Sequence, residues 1–168
     1  MPYTRQILSE GHPTLRKVAR RVDPREIKEP LFQQLIDDMF ETMYAAPGVG
    51  LAAPQVNVSK RIFVMDVHDD EHEPAVVINP RLERLGDEIE LREGCLSVPG
   101  MVGEIVRSER AAVSGLDREG NKIRIEGDGL LAQCMQHEVD HLDGKLYIDR
   151  AKNVRPAVSD EEKETAEA

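Results

Sequence analysis

The sequence is poor in aromatic residues, in cysteine and in long apolar stretches. It has no Trp, three Phe and three Tyr, so Leu, Val, Ile and Met must supply most of the core. Only two cysteines are present, and a chain of 168 residues buries enough apolar surface to fold without a disulfide. No stretch approaches the roughly 20 apolar residues that cross a membrane, and the N-terminus lacks the apolar run of a secretory signal. We therefore expect a cytoplasmic protein with reduced thiols.

Basic residues are also in the minority. Lys and Arg number 22 and Asp and Glu number 32, which gives a formal net charge of −10. This balance argues against a general binder of nucleic acid or of anionic membranes, because those partners attract Lys and Arg. Part of the acidic excess lies in residues 160–167. We divide the chain into one catalytic domain, residues 1–150, and a polar acidic tail, residues 151–168.

The spacing of apolar residues predicts two helices that differ in character. Residues 31–44 are amphipathic, and Pro-Gly at positions 47 and 48 ends that helix. Residues 130–142 are apolar on most sides, which is typical of a helix buried in the middle of a fold. Short strands are predicted at residues 61–67, 75–79, 88–92, 111–116 and 122–126. Strands on several sides of one buried helix predict an α+β domain.

The most informative segment lies on the buried helix and reads His137-Glu138-Val139-Asp140-His141. Two imidazoles at positions i and i+4 share one helical face and can reach one metal ion. Glu138 is offset to the side, where a carboxylate can act on a metal-bound water without ligating the metal. Two unrelated surface histidines are the alternative, but buried imidazoles on an apolar helix need partners. The segment therefore predicts metal-assisted hydrolysis.

A catalytic metal of this kind needs a third protein ligand. No His follows His141, and Asp149 and Glu161 fall in a region with little core character. Cys134 lies seven residues before His141. That separation is about 10 Å along the helix axis, too far for one ion to join both histidines and this thiol. Cys95 is therefore the favoured third ligand.

A third segment, Gly-Val-Gly-Leu-Ala-Ala-Pro-Gln at positions 48–55, matches a dinucleotide-binding fingerprint, with Asp69 at a suitable distance. The context argues against that function, because a helix precedes the segment and Pro54 interrupts the helix that should follow. The small residues instead predict an extended loop whose backbone approaches a ligand. Gln55 then offers a neutral amide donor suited to a developing oxyanion.

Together these segments resemble peptide deformylase, the family that removes the formyl group from the N-terminal methionine of new bacterial and organellar proteins. The family's three motifs occur in order as GVGLAAPQ (48–55), EGCLS (93–97) and QHEVDH (136–141), and the similarity covers roughly residues 12–150. The resemblance implies antiparallel strands packed around the helix that carries the last motif. Its substrates would be N-formyl-methionyl nascent polypeptides, and its product formate.

The resemblance also implies a catalytic set. Cys95, His137 and His141 would ligate one divalent ion, usually Fe²⁺, with water in the fourth position. Zn²⁺, Ni²⁺ and Co²⁺ suit the same donor atoms. The metal-bound water would attack the formyl carbon, with Glu138 as general base and then general acid. The Gln55 amide and the Leu96 N–H would stabilise the oxyanion.

By the same resemblance, the methionine side chain enters a pocket, and the peptide pairs with the Gly50 backbone like an added strand. The pocket residues would be Val49, Leu91, Leu130 and Cys134. Gln133 stands at the edge of this pocket, where an apolar residue is common in the family. Arg107 would pair with Glu93 and steady the cysteine loop. We expect at most a transient association with the ribosome, no membrane contact and no specific nucleic acid.

Three alternatives remain open at this stage. A metallopeptidase is the first, because it shares the H-E-x-x-H motif, although this sequence lacks the third metal ligand that usually follows it. A structural zinc site would leave Glu138 and Gln55 unexplained, and it would need a fourth protein ligand from Cys134, His12, His68 or His72. A scaffold held by a Cys95–Cys134 disulfide is the third.

Overall fold

The computed structural model describes residues 1–166, so the last two residues of the predicted acidic tail lie outside the described residues. The helices and strands follow in the order α1 (Pro30–Ala45), β1 (Gly50–Ala52), β2 (Ile62–Met65), β3 (Ala75–Cys95), β4 (Val98–Leu116), β5 (Lys122–Asp128), α2 (Gly129–Leu142), β6 (Lys152–Pro156) and α3 (Asp160–Ala166). None of the helices within residues 1–166 is long and apolar enough to span a membrane.

The strands form one antiparallel sheet in the order β1-β2-β3-β4-β5, and β6 also pairs with β4. The sequence predicts that Pro80 closes a strand at residues 75–79, and this is wrong. The strand continues as β3 for 21 residues, because register shifts such as the one between Ile78 and Arg81 absorb the proline. The predicted strands at 88–92 and 111–116 are likewise parts of β3 and β4. The predicted strand at 122–126 is β5, which pairs with β4 in an antiparallel hairpin.

Helices α1 and α2 lie on opposite faces of the sheet. Alternate residues of β2 separate the two cores, with Ile62 and Val64 packed with α1, and Phe63 and Met65 packed with α2. Both predicted helices are confirmed, and the α+β class with antiparallel strands around a buried helix is confirmed with them. Asp is a favoured residue at the position before a helix, and Asp128 stands there before α2, but its side chain makes no capping hydrogen bond.

The chain beyond Arg150 extends the sheet. In the register of β6 on β4, Met101 faces Pro156 and Glu104 faces Lys152. Helix α3 follows and is mostly exposed, with Ala166 as its one buried residue within the described part. The division of the chain at residue 150 stays a prediction.

The buried carboxylate of Asp38 on α1 anchors the N-terminal segment. It accepts hydrogen bonds from the Tyr3 N–H at 3.0 Å, from the Gln34 amide at 2.7 Å, and from Arg5 Nε and Nη2 at 3.0 and 2.9 Å. Burial acts to raise the pKa of Asp38, but these donors outweigh it and lower the pKa below its ordinary value. Asp38 therefore stabilises the fold as a carboxylate.

We predict that Asp38→Asn lowers the free energy of unfolding at neutral pH by about 2–4 kcal/mol, because Arg5 loses its charged partner. The folded-state pKa is depressed, so the stabilisation is complete above the unfolded pKa. It is lost as the pH falls through the folded pKa, and the difference from wild type shrinks below about pH 4. Urea unfolding at several pH values measures this. Asp37→Asn, which alters only a more exposed pair with Arg118, is the control. A pH-independent difference would contradict the prediction.

Candidate metal centre

The three predicted ligands meet at one point. Cys95 ends β3, and His137 and His141 lie one turn apart on α2. The two histidine Nε2 atoms are 3.1 Å apart, and Cys95 Sγ lies 3.3 Å from His141 Nε2. All three side chains are buried, and their donor atoms lie within 4.8 Å of one another. Tetrahedral bonds to zinc-like ions place such donors about 3.4–3.6 Å apart, so the triad has nearly the spacing that one ion requires.

Local hydrogen bonds position the Cys95 thiol. Cys95 pairs with Val98 across a tight turn of Leu96 and Ser97, which reverses the chain from β3 into β4. The Ser97 N–H points at Cys95 Sγ from 3.4 Å, and Gln55 Nε2 lies 3.8 Å from the same sulfur. The Leu96 backbone lies in the same turn, beside the triad.

Gln55 is held in one orientation. Its Oε1 accepts a hydrogen bond from the Ala52 N–H at 2.9 Å, and its Nε2 donates to Ser97 Oγ at 3.1 Å. The side chain is buried, and the two bonds together fix which end of the amide faces the site. The structure therefore directs the amide N–H₂ of this predicted residue toward Cys95.

A buried ionic network lies behind the histidines. Glu93 Oε2 accepts a hydrogen bond from His137 Nδ1 at 2.8 Å, which leaves the His137 Nε2 lone pair for a metal. Arg107 Nε and Nη2 donate to Glu93 at 3.0 and 2.5 Å, and Nη1 donates to Asp140 at 2.6 Å. Burial acts to raise the pKa of Glu93, but His137 and Arg107 outweigh it and lower the pKa to about 2. This carboxylate is therefore ionised and holds the imidazole in position.

The sequence predicts the Arg107–Glu93 pair but not the contacts that Glu93 makes with His137 and Asp140 with Arg107. The sequence carries only a weak signal for these two contacts. Glu93 and Arg107 stand on strands at buried positions, and Asp140 is a charged residue on an apolar helix. Charges at such positions are buried only when they are paired.

Glu138 sits in a different environment. Its carboxylate is buried, and Oε1 has no hydrogen-bond partner in the described part of the chain. Burial, the largest effect, raises the pKa of Glu138 to about 7. A Cβ atom on Gly50 would lie 2.6 Å from Glu138 Oε2, so only glycine allows the β1 backbone to approach this closely. A carboxyl group with a pKa near neutrality can both accept and return a proton.

A cavity of about 440 Å³ opens beside the triad. Val49, Leu130 and Cys134, three of the predicted pocket residues, line it together with His137 and Glu138. Gly50 adjoins it through close contact with Cys134 and Glu138. Leu91 lies on β3 opposite Ile105 and is not part of the lining. The sequence did not predict six other residues as cavity lining: Pro47, Arg92, Glu93, Gly94, Glu164 and Thr165.

Gln133 turns its amide away from the apolar wall. Its Nε2 donates to the Arg92 carbonyl at 2.9 Å and to Glu93 Oε1 at 3.2 Å. The polar residue at this edge is thus engaged with β3, and it also lines the cavity.

The alternatives that depend on Cys134 find no support. Both cysteines are free thiols, and Cys134 Sγ donates instead to the Val49 carbonyl at 3.7 Å. Burial raises the pKa of Cys134, which keeps it a neutral thiol. Within residues 1–166, no fourth His, Cys, Asp or Glu joins the triad, as a closed structural zinc site would require.

Residues 4–157 match the family model described as polypeptide deformylase. The chain is 53% identical over 151 residues to a peptide deformylase of Hahella chejuensis, covering 89% of this chain and 88% of that protein. It is 51% identical over 144 residues to one of Pseudomonas aeruginosa, covering 85% and 84%.

Solved structures agree with these sequence matches. A peptide deformylase from Legionella pneumophila superposes with a TM-score of 0.82 at 45% identity, covering 97% of this chain and 90% of that one. One from Acinetobacter baumannii, with Met-Ala-Ser bound, gives 0.84 at 33% identity, covering 89% and 99%.

We predict that Glu93→Gln weakens binding of Co²⁺ or Ni²⁺ by about 10- to 100-fold, because His137 loses its charged outer partner. Competition with a chromophoric chelator measures the affinity, and circular dichroism verifies folding. Glu90→Gln is the matched control, since Glu90 lies on the same strand and pairs with Lys152 at the surface. Equal affinities in the two variants would contradict the role of Glu93.

Proposed function

The chain belongs to the polypeptide deformylase family, and we propose that Cys95, His137 and His141 hold its metal ion while Glu138 transfers protons. As a member of a metal-dependent hydrolase family, it removes the N-formyl group from newly made polypeptides. One observation carries the proposed roles. A buried Cys-His-His triad adjoins a cavity that is lined by His137 of the triad and by Glu138, whose Oε1 has no hydrogen-bond partner among the described residues.

The donor set fits a divalent ion of the first transition series. Two neutral imidazoles and one thiolate suit Fe²⁺, which we propose as the native ion, and Zn²⁺, Ni²⁺ and Co²⁺ as substitutes. An ion bound there supplies Lewis acidity, which polarises a carbonyl and lowers the pKa of a bound water. The hydrogen bond from His137 to Glu93 and the donors around Cys95 hold these ligands before the ion arrives.

Glu138 is the residue that we assign to proton transfer. It stands beside His137 but outside the triad, so its carboxylate is free to take a proton from water. It then returns that proton to the amine nitrogen as the bond between this nitrogen and the formyl carbon breaks. The Gln55 amide and the Leu96 N–H donate to the formyl oxygen as that oxygen gains negative charge.

The cavity accounts for the choice of methionine. Its wall combines the apolar Val49 and Leu130 with the thiol of Cys134, surfaces that suit an unbranched thioether side chain. Gly50 offers backbone groups on β1 with which an extended peptide can pair. The assignment of Leu91 to substrate contact stays a prediction.

We place this reaction in the cytoplasm, where nascent chains carry the formyl group, and we propose at most a transient association with the ribosome. Three basic residues beyond the catalytic helix are the obvious contacts for RNA. Each already has an acidic partner: Arg150 with Asp140, Lys152 with Glu90 and Arg155 with Glu104. They therefore offer little unpaired positive charge to an RNA surface.

We predict that Glu138→Gln lowers kcat for formate release from formyl-Met-Ala-Ser by about 10²- to 10⁴-fold, because proton transfer is lost. Metal content should stay at one equivalent, since Glu138 is not a ligand. The exposed Glu126→Gln on β5 is the control. Full activity in Glu138→Gln would contradict the role of Glu138. Cleavage of unformylated Met-Ala-Ser by the wild type would instead support a metallopeptidase.

We also predict that the Fe²⁺ form loses activity in air faster than the Ni²⁺ form, because a thiolate on an oxidisable ion exposes both to oxygen. Formate release is followed over time in air and under argon, after loading each metal anaerobically. The two forms should be equally stable under argon. Equal half-lives in air would contradict this prediction.

A further inference from the structure

Helix α3 reaches the cavity that holds the triad. Glu164 and Thr165 line the same cavity as His137 and Glu138. The contact continues at Gly94, next to Cys95, where a Cβ atom would lie only 2.6 Å from both the Thr165 carbonyl oxygen and Ala166 Cα. The backbones of α3 and of the end of β3 therefore touch. A segment with the composition of a solvated tail forms a wall of the site.

This wall lies outside the range that the family model matches. The family model matches residues 4–157, and α3 begins at Asp160. All residues to which we assign the chemistry lie inside the matched range, so the reaction does not require α3. Its position points to a role in access to the site.

Helix α3 is only weakly attached to the sheet. A helix of seven residues is unstable alone, and within the described residues it buries only Ala166. Two ion pairs assist: the partly buried pair of Arg155 with Glu162 at 2.7 Å, and the pair of Arg92 with the exposed Glu161 at 3.7 Å. Ion pairs that remain in contact with water contribute only modestly to stability. A peptide that competes for the same space can therefore displace α3 without disturbing the sheet.

The walls of the cavity define where a substrate peptide and α3 compete for the same space. The cavity is lined by Pro47 and Val49 just before β1, by Arg92 and Gly94 near the end of β3, and by residues of α2. A peptide whose formyl group lies beside Glu138 must pass between these walls to leave the cavity. On the Gly94 side, Thr165 and Ala166 lie against the backbone of β3, so α3 limits the room left at this edge of the cavity for the residues after methionine.

We propose that α3 is a displaceable wall that determines specificity for substrate length, favouring short formylated peptides until a longer chain pushes it aside. This inference rests on the proposed function of the site. The proposal assigns the discrimination between short and long substrates to Ala166, which packs α3 against Gly94, and to the Arg155–Glu162 pair.

Two full-length variants test the proposal. Ala166→Asp places a carboxylate in the buried contact with Gly94, and Glu162→Arg sets two cations against each other at Arg155. Lys163→Glu, at an exposed position of the same helix, is the matched control. The assay compares kcat/KM for formyl-Met-Ala with that for a formyl-Met hexapeptide.

Undocking α3 should raise the ratio of hexapeptide to dipeptide kcat/KM by about three- to tenfold, as expected for a helix held by surface pairs. Lys163→Glu should leave the ratio unchanged. An unchanged ratio in both undocking variants, with normal formyl-Met-Ala turnover, would overturn the role of α3 and leave the proposed function standing. Absence of formyl-Met-Ala turnover in the wild type would count against the proposed function itself.

Hydrogen exchange gives a readout that is independent of turnover. An unformylated hexapeptide that begins with Met-Ala-Ser should speed exchange in residues 160–166 of the wild type, whereas free methionine should not, because only the longer chain reaches α3. Slower exchange in α3 on hexapeptide binding would mean that the helix closes over the peptide, which would overturn the proposal. An unchanged exchange rate would also overturn it.

Discussion

The buried guanidinium of Arg107 is the interaction on which the geometry of the site depends. It lies on β4 and binds Glu93 on β3 and Asp140 on α2, so one cation joins three elements. None of the three charges is stable in the interior without its partners, because desolvation must be offset by pairing. The network therefore fixes α2 against the sheet. Cys95 is two residues from Glu93, and His141 adjoins Asp140, which is why the donor atoms converge.

The same network gives very different pKa values to two carboxyl groups that are close in space. Glu93 is surrounded by His137 and Arg107, and its pKa is lowered to about 2. Glu138 follows His137 on the helix but faces the apolar cavity, and burial raises its pKa to about 7. One carboxylate is thereby kept ionised to orient a ligand, and the other is able to exchange protons. Environment alone assigns these roles, since the two side chains are chemically identical.

The sequence predicts what depends on short-range spacing. Helical periodicity located α1 and α2, and the i, i+4 rule placed His137 and His141 on one face. The extent of β3 was missed, because Pro80 is a stop signal by itself and the register shift that accommodates it depends on pairing with β4. The second contacts of Arg107 and Glu93 were missed for a similar reason. Which distant charge a buried charge meets is decided by the tertiary fold.

Helix α3 was the least predictable part of the site. Its acidic composition indicates a solvated segment, and most of its surface is indeed exposed, so no apolar pattern marks the one alanine that contacts Gly94. The inner site is held by buried charges whose separation is costly, whereas α3 is held by pairs in contact with water. The ligands therefore stay fixed under conditions that release α3. This difference in attachment allows access to the site to change while its chemistry does not.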